Sequence, residues 1–315
     1  MMENAYIKGK SKQAGVIFTA AYQKEGDAFL AGLEAGKYSK ASIDNYTRAL
    51  RKFFLFLAAH AIGKLQDVTP ELLEQYRFEL ISAGFKYSSL DQYIRSVRLF
   101  FRRLEKTGVV FSDPSYHLVN VRYEKRLPVV PSEAEMKKLL GQPNVGTPAG
   151  VRDRALLEVC YATGVRVHEL YTLDVRSLDL PNGVLRVFGK GRKERILPLG
   201  KHARSWLDRY LHDARNALLG GAIDCPALWV DQYGRRLSKG AIAVRLTAYS
   251  RQAAIKHISV HGIRRACATH MLANGAHPVQ IQILLGHASL RNLSQYLQLT
   301  VTDLKKTHGQ SRLGK

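Results

Sequence analysis

The stretch Asn182–Leu199, NGVLRVFGKGRKERILPL, is where this chain stops looking helical. Two short runs of alternating apolar residues, VLRVF and ERILP, flank a Gly/Lys/Arg turn, and Asn182-Gly183 supplies a further turn ahead of them. That pattern predicts a small antiparallel sheet. Around it nearly every other segment repeats its apolar residues at helical spacing. The expected fold class is therefore mainly α, with one small sheet in the second half of the chain.

Working back toward the N-terminus, four helical patterns precede the sheet. They cover about 22–35, 40–60, 70–82 and 89–107. The second carries Ile43, Tyr46, Leu50, Phe53 and Leu57 on one face. Thr69-Pro70 is an N-cap followed by a proline at the first helical position, and opens the third. Ser88 or Ser89 is expected to cap the fourth, SLDQYIRSVRLFFRRLEKTG, which turns Leu90, Ile94, Val97, Phe101 and Leu104 inward and ends at Gly108. Outside that stripe stand Arg95, Arg98, Arg102, Arg103 and Lys106. Residues 112–131 hold three prolines and little periodicity and read as a linker. Beyond it Ser132 and Glu135 have capping-box spacing, RDRALLEVCYATG reads as a helix closed by Gly164, and further helices are expected at about 201–219, 239–255, 260–272 and 279–285. The expected domains are a flexible tail (1–20), an N-terminal helical domain (21–111), the linker (112–131), a second domain (132–300) and a C-terminal tail (301–315).

The charge narrows the function. With 48 Lys+Arg against 26 Asp+Glu in 315 residues, the net charge is +22. A folded chain that tolerates such self-repulsion is matched to a polyanion, and nucleic acid is the leading partner. With that charge behind them, the basic residues of the fourth helix become candidate phosphate contacts. The longest apolar run, FFLFLAAHAIG, is too short to span a bilayer, and MMENAYIKGKSKQ lacks the apolar core of a secretory leader. Cys160, Cys225 and Cys267 are odd in number and widely spaced, which favours reduced thiols in a cytoplasmic setting over disulfides.

Four local patterns carry chemistry. In VHGIRRACATHMLANG, His261 and Arg264 lie three apart on one helical face and can grip an anion together. In ATGVRVHEL, Arg166 follows a helix-ending glycine that can aim it inward, and Glu169 braces the next turn. In FGKGRKERILPL, Lys190 tips a glycine-flanked hairpin. In HPVQIQILLGHASL, Gly286 ends a short helix and His287 stands just past it. Nine residues later Tyr296 sits among polar neighbours, poorly placed for a core. His257, His261, His270, His277 and His287 crowd together, but their spacing repeats no zinc-ligand pattern.

Together these motifs resemble the tyrosine recombinases, the phage-integrase family, and its Xer-like members in layout, over about residues 20–300. In that family an arginine stands in ATG-x-R-x-x-E-L and a lysine in GKG-x-K-x-R-x-x-P-L. H-x-x-R opens a helix, and L-L-G-H precedes the nucleophilic tyrosine by nine residues. The matching positions are Arg166, Lys190, His261 with Arg264, His287 and Tyr296. Lys193 beside Lys190 and Arg265 beside Arg264 offer alternative contacts.

The resemblance implies a SAM-like four-helix core-binding domain joined to an α+β catalytic domain of the tyrosine recombinase/type IB topoisomerase kind. It implies a metal-independent DNA strand transferase that works through a 3′-phosphotyrosine and a Holliday junction, with no cofactor. It further implies a homo-tetramer holding two double-stranded recombination sites, with a second recombinase or accessory protein as an optional partner, a nucleoid-associated location and no membrane. A phenol ionises near pH ~10, so attack requires proton removal and neutralisation of the phosphorane charge. Arg166 and Arg264 suit that clamp, Lys190 the departing 5′-oxygen, His261 the tyrosine proton and His287 a hydrogen bond to phosphate. The acid–base division among His261, His287 and Lys190 stays open at this stage. Two rivals share the fold: a catalytically silent architectural DNA binder and a type IB topoisomerase-like relaxing enzyme. In the tail, Leu297, Leu299, Val301 and Leu304 form an amphipathic start suited to a neighbouring protomer.

Overall fold

An apolar stripe on a long basic helix organises the first half of the chain. In the computed structural model, which describes residues 20–119, 130–189, 194–221 and 225–286, that helix is Tyr87–Lys106. Lys190, Lys193, His287, Tyr296 and the tail after it lie outside the described residues. The chain divides into two units, 1–125 and 126–315, each with its own core.

The first unit contains α1 (Gln23–Ala35), α2 (Lys40–Ala59), α3 (Pro70–Ser82) and α4 (Tyr87–Lys106). Thr69 caps α3 with Pro70 in its first turn, as the sequence predicts. The expected start of α4 needs correction. Lys86 occupies the N-cap position, and its carbonyl already accepts hydrogen bonds from the backbones of Ser89 and Leu90. Ser88 and Ser89 therefore fall inside the first turn. Leu90, Ile94, Val97, Phe101 and Leu104 are all buried. They meet an aromatic core in which Phe29 packs edge-on against Phe100 at 5.4 Å and Phe53 against Tyr76 at 5.2 Å, the geometry favoured by ring quadrupoles. Val110, Ser115 and Leu118 are buried with them, so the chain stays packed on this core through the first part of 112–131.

The second unit is built around α6 (Pro148–Thr163), buried on most of its circumference and flanked by α5 (Glu133–Leu140), which Ser132 and Glu135 open with a reciprocal capping box. A short α7 (Val167–Thr172) follows, then the sheet β1 (Leu178–Asp179), β2 (Val184–Phe188) and β3 (Glu194–Pro198). Its order is β1-β2-β3, antiparallel, with Leu185 opposite Leu197 and Val187 opposite Arg195.

The helix expected over 201–219 is α8 (Lys201–Arg209) and α9 (Arg215–Leu219), joined by a wider π-type turn at Tyr210–Ala214. This turn holds the buried Tyr210, which stacks on Trp229 and donates its hydroxyl to the Leu228 carbonyl at 2.8 Å. Such bulges accommodate a side chain that a regular α-turn would misplace.

The last described helices are α10 (Lys239–Gln252), α11 (Val260–Ala273) and α12 (Pro278–Leu285). α10 stops before the expected Ile255 because Ala254 takes a left-handed conformation at φ +52°. No helix among the described residues is long and apolar enough to cross a membrane.

Candidate active site

Gly164 fixes the first arginine. It ends α6 with φ +58°, a conformation that costs other residues free energy, and so redirects the chain into α7. Arg166 then sits at the N-cap position of α7. Its backbone N–H donates to Glu169 Oε2 at 2.8 Å, and its Nη1 donates to Glu169 Oε1 at 2.9 Å. The other end of the guanidinium, Nη2, donates to the Gly286 carbonyl at 3.0 Å. The Arg166 side chain remains 39% exposed.

Arg264 arrives from the first turns of α11, which Ser259 caps. It is 1% exposed, and its two terminal nitrogens donate to the carbonyls of Gly164 at 2.6 Å and Leu285 at 2.7 Å. Of the neighbouring pair, Arg264 is the member directed at these backbone oxygens. Arg265 is half-buried, with its Nε buried and without a hydrogen-bond partner among the described residues.

His261, one turn ahead of Arg264, is exposed. Partial desolvation, and then the positive charges of Arg265, Arg264 and Arg166, hold its pKa below the usual 6.5. An imidazole kept neutral beside several guanidinium groups is suited to accepting a proton.

A residue to which the motifs assign no role, although it is the arginine of GKG-x-K-x-R-x-x-P-L, completes the arrangement. Arg195 on β3 donates two hydrogen bonds to Glu169, Nη1 to Oε1 at 2.7 Å and Nη2 to Oε2 at 2.8 Å, and a third from Nε to the Leu284 carbonyl at 3.2 Å. Glu169 is thus shared by two guanidinium groups. Burial alone would raise its pKa, but the Arg195 hydrogen bonds, the Arg166 backbone N–H and the nearby positive charges win and hold it at about 2. The signal for Arg195 was present in the alternation of ERILP. Arg195 shares the inward face of the strand with the buried Leu197, while Ile196 points outward at 59% exposure. A charge on the inward face of a strand calls for a buried partner.

The three arginines therefore meet consecutive carbonyls at the end of α12 and its C-cap: Arg195 on Leu284, Arg264 on Leu285 and Arg166 on Gly286. Helix C-termini carry unpaired carbonyls and partial negative charge, so cations are favoured there. Among the described residues, the three guanidinium groups of Arg166, Arg195 and Arg264 outnumber the one carboxylate of Glu169, so positive charge is left over at this point. The backbone carbonyls lie where the forks can accept oxygen ligands, and a phosphodiester offers the same kind of oxygen with more charge.

Among the described residues, the other histidines of that group are dispersed. His277 Nδ1 accepts from the Val279 backbone and caps α12, His270 Nδ1 pairs with the Tyr161 hydroxyl at 2.7 Å, and His257 approaches Thr247. On α4, Arg95 is 64% exposed and paired with Asp91 at 2.8 Å, Arg98 is half-buried, and Arg102, Arg103 and Lys106 are exposed. Arg103 lies across Gly32 of α1, its guanidinium in the space a β-carbon there would take.

Comparison with known proteins identifies the two halves of the chain. Residues 130–302 match the phage integrase family, and residues 27–108 match the phage integrase N-terminal SAM-like domain. The tyrosine recombinase XerD of Pseudomonas putida is 36% identical over 267 residues, covering 84% of this chain and 89% of the relative. Among solved structures, the XerH site-specific recombinase in a post-cleavage complex with its difH substrate superposes with a TM-score of 0.71 at 21% identity, over 85% of this chain and 79% of that one. A lambda integrase tetramer bound to a Holliday junction superposes with a TM-score of 0.67 at 19% identity, over 87% and 76%. The mainly helical fold with its three-stranded antiparallel sheet is that of these proteins. With the family match spanning more than half its length and a relative of this identity spanning most of it, the chain belongs to the phage integrase family of tyrosine recombinases.

Proposed function

We propose that this chain is a site-specific DNA recombinase that cuts and rejoins duplex DNA through a covalent 3′-phosphotyrosine, with Arg166, Lys190, His261, Arg264, His287 and Tyr296 as its active-site residues. The observation that carries the reading is the convergence of Arg166 and Arg264 on the adjacent carbonyls of Leu285 and Gly286 at the end of α12, immediately before His287 in the sequence. In strand transfer the Tyr296 oxygen forms a bond to phosphorus while the bond to the 5′-oxygen breaks. The phenolic proton passes to His261, and Lys190 protonates the departing 5′-oxygen. Arg166 and Arg264 replace their carbonyl contacts with the non-bridging oxygens and neutralise the phosphorane charge, and His287 donates a further hydrogen bond. One phosphoester replaces another, so the bond energy is retained and a 5′-hydroxyl of the partner strand can reverse the step.

In this reading the unit from 126 onward is catalytic and the first unit is the core-binding domain. Arg95, Arg98, Arg102, Arg103 and Lys106 of α4 contact phosphates there. Phosphate contacts position a protein on duplex DNA without reading its sequence. Two dimers, one per site, exchange strands through a Holliday junction, and the tail beyond 301 docks on a neighbouring protomer.

The test uses a nicked duplex carrying the site that the protein selects from a randomised DNA pool. The wild-type chain should form a covalent protein–DNA adduct, and Tyr296→Phe should bind the duplex and form none. Adducts that persist in Tyr296→Phe would falsify the nucleophile assignment. Relaxation of supercoiled DNA without exchange between two sites would instead place the chain with the topoisomerase-like enzymes.

A further inference from the structure

We propose that Arg195 is a positioning residue for strand transfer: it takes up the charge of Glu169 so that Arg166 keeps its own for the DNA phosphate, and it pins the carbonyl end of α12 beside them. The inference rests on the recombinase reading above and adds a residue to it.

The division of contacts around Glu169 carries the argument. A carboxylate beside a phosphate-binding arginine is a competitor, because it offers that arginine the same planar pair of oxygens a phosphate does. Here the two-pronged contact goes to Arg195, at 2.7 and 2.8 Å. Arg166 makes one side-chain bond to the same carboxylate. Arg195 is also the more buried of the two, 14% against 39% exposed, so its pairing with Glu169 is the less screened by water. Glu169 thus orients Arg166 while most of its negative charge is matched elsewhere.

Arg195 has a second grip. Its Nε donates to the Leu284 carbonyl, and its guanidinium lies against Gly286, where an added β-carbon would stand 3.1 Å from Arg195 Cδ and Nε. Gly286 is left-handed at φ +61°, so the absent side chain serves both the turn and the close approach. One guanidinium on β3 therefore links the carboxylate that orients Arg166 to the point where the chain leaves α12.

A group that merely stabilises the fold would lower the amount of active protein. A group that sets the charge and aim of Arg166 changes the rate of the chemical step on bound DNA. The experiment uses the full-length chain and the nicked duplex described above. It measures single-turnover adduct formation at saturating DNA, and the dissociation constant of the intact duplex. Arg195→Met should cleave about 30- to 100-fold more slowly, the range expected when a reacting group is misplaced by about 1 Å, with binding changed less than about 3-fold. Adding Glu169→Gln in the Arg195→Met background removes the uncompensated carboxylate and should recover part of that loss.

Three results overturn the proposal: wild-type cleavage by Arg195→Met, a slowing matched by equally weakened binding, or a double variant no faster than the single one. If Arg195→Met does not fold, Arg195→Lys decides. Cleavage several-fold slower at unchanged affinity supports the role, and a wild-type rate refutes it. A wild-type chain that forms no adduct at all defeats the recombinase reading itself, a different outcome from any of these.

Discussion

Gly164 and Leu285 approach so closely that a β-carbon on the glycine would stand 2.6 Å from Leu285 Cδ2. The same glycine lends its carbonyl to Arg264 and holds φ +58°. Gly164→Ala meets two penalties at once, a left-handed backbone and an overpacked contact. It should destabilise the chain by about 2–4 kcal/mol. Urea denaturation with an unchanged m-value measures this. A loss under about 0.5 kcal/mol would mean that α12 can move away from α6 without cost.

Arg264→Lys keeps the charge but not the fork. A single ammonium cannot span the Gly164 and Leu285 carbonyls as the guanidinium does at 2.6 and 2.7 Å. In a site with Arg264 only 1% exposed, one carbonyl is left unpaired and one phosphate oxygen loses its donor. Adduct formation should fall roughly 100- to 1,000-fold, as when one preorganised donor to a transition-state oxyanion is removed, with duplex binding largely kept. Retention of more than a tenth of the wild-type rate would show that charge alone suffices at this position.

Much of this was legible in the sequence, and its gaps have physical causes. Thr69-Pro70, Ser132 with Glu135, Gly164 and Gly286 are local signals whose geometry depends on a few neighbouring residues, and each acts in the structure as its type requires. The π-type turn at Tyr210 was hidden because it answers to Trp229 and Leu228, far along the chain. Arg195 is visible as the arginine of GKG-x-K-x-R-x-x-P-L, but its role is hidden for a similar reason. Its partners Glu169 and Leu284 lie 26 and 89 positions away, and only the inward register of β3 hinted at them. Arg166 and Arg264 stand out by motif, but their order on the consecutive carbonyls of Leu285 and Gly286 belongs to the tertiary structure.

Glu169→Gln probes the ion pair by stability. The folded-state carboxyl lies at about 2, depressed from an ordinary 4.5, so its contribution is complete above 4.5 and is lost as pH falls through about 2. That separation corresponds to about 3 kcal/mol. Glu169→Gln should therefore be less stable than wild type at pH 7, and the gap should narrow as the pH drops below 4.5. A gap that stays constant from pH 7 to pH 3 would show that hydrogen-bond geometry, with no charge contribution, sets the stability.

His261 gives a pH dependence of the opposite origin. Desolvation and the arginines around it depress the folded-state value below 6.5, so the ring stays neutral to lower pH than a free histidine. A lowered histidine also means that the folded state resists protonation, so the stability it permits at neutral pH falls as pH drops below 6.5. If neutral His261 accepts the proton of Tyr296, the rate of adduct formation should be flat near neutrality and decline only below pH 6.5. Arg265→Gln removes one of the charges that lower the value while leaving Arg264 and its carbonyl contacts in place. The acid limb should then move upward toward 6.5, with the plateau rate changed little. Single-turnover cleavage between pH 5 and 8 for the wild type and Arg265→Gln reads this directly. An acid limb that keeps its position in Arg265→Gln, or one that persists in His261→Ala, would assign the titrating group to another residue.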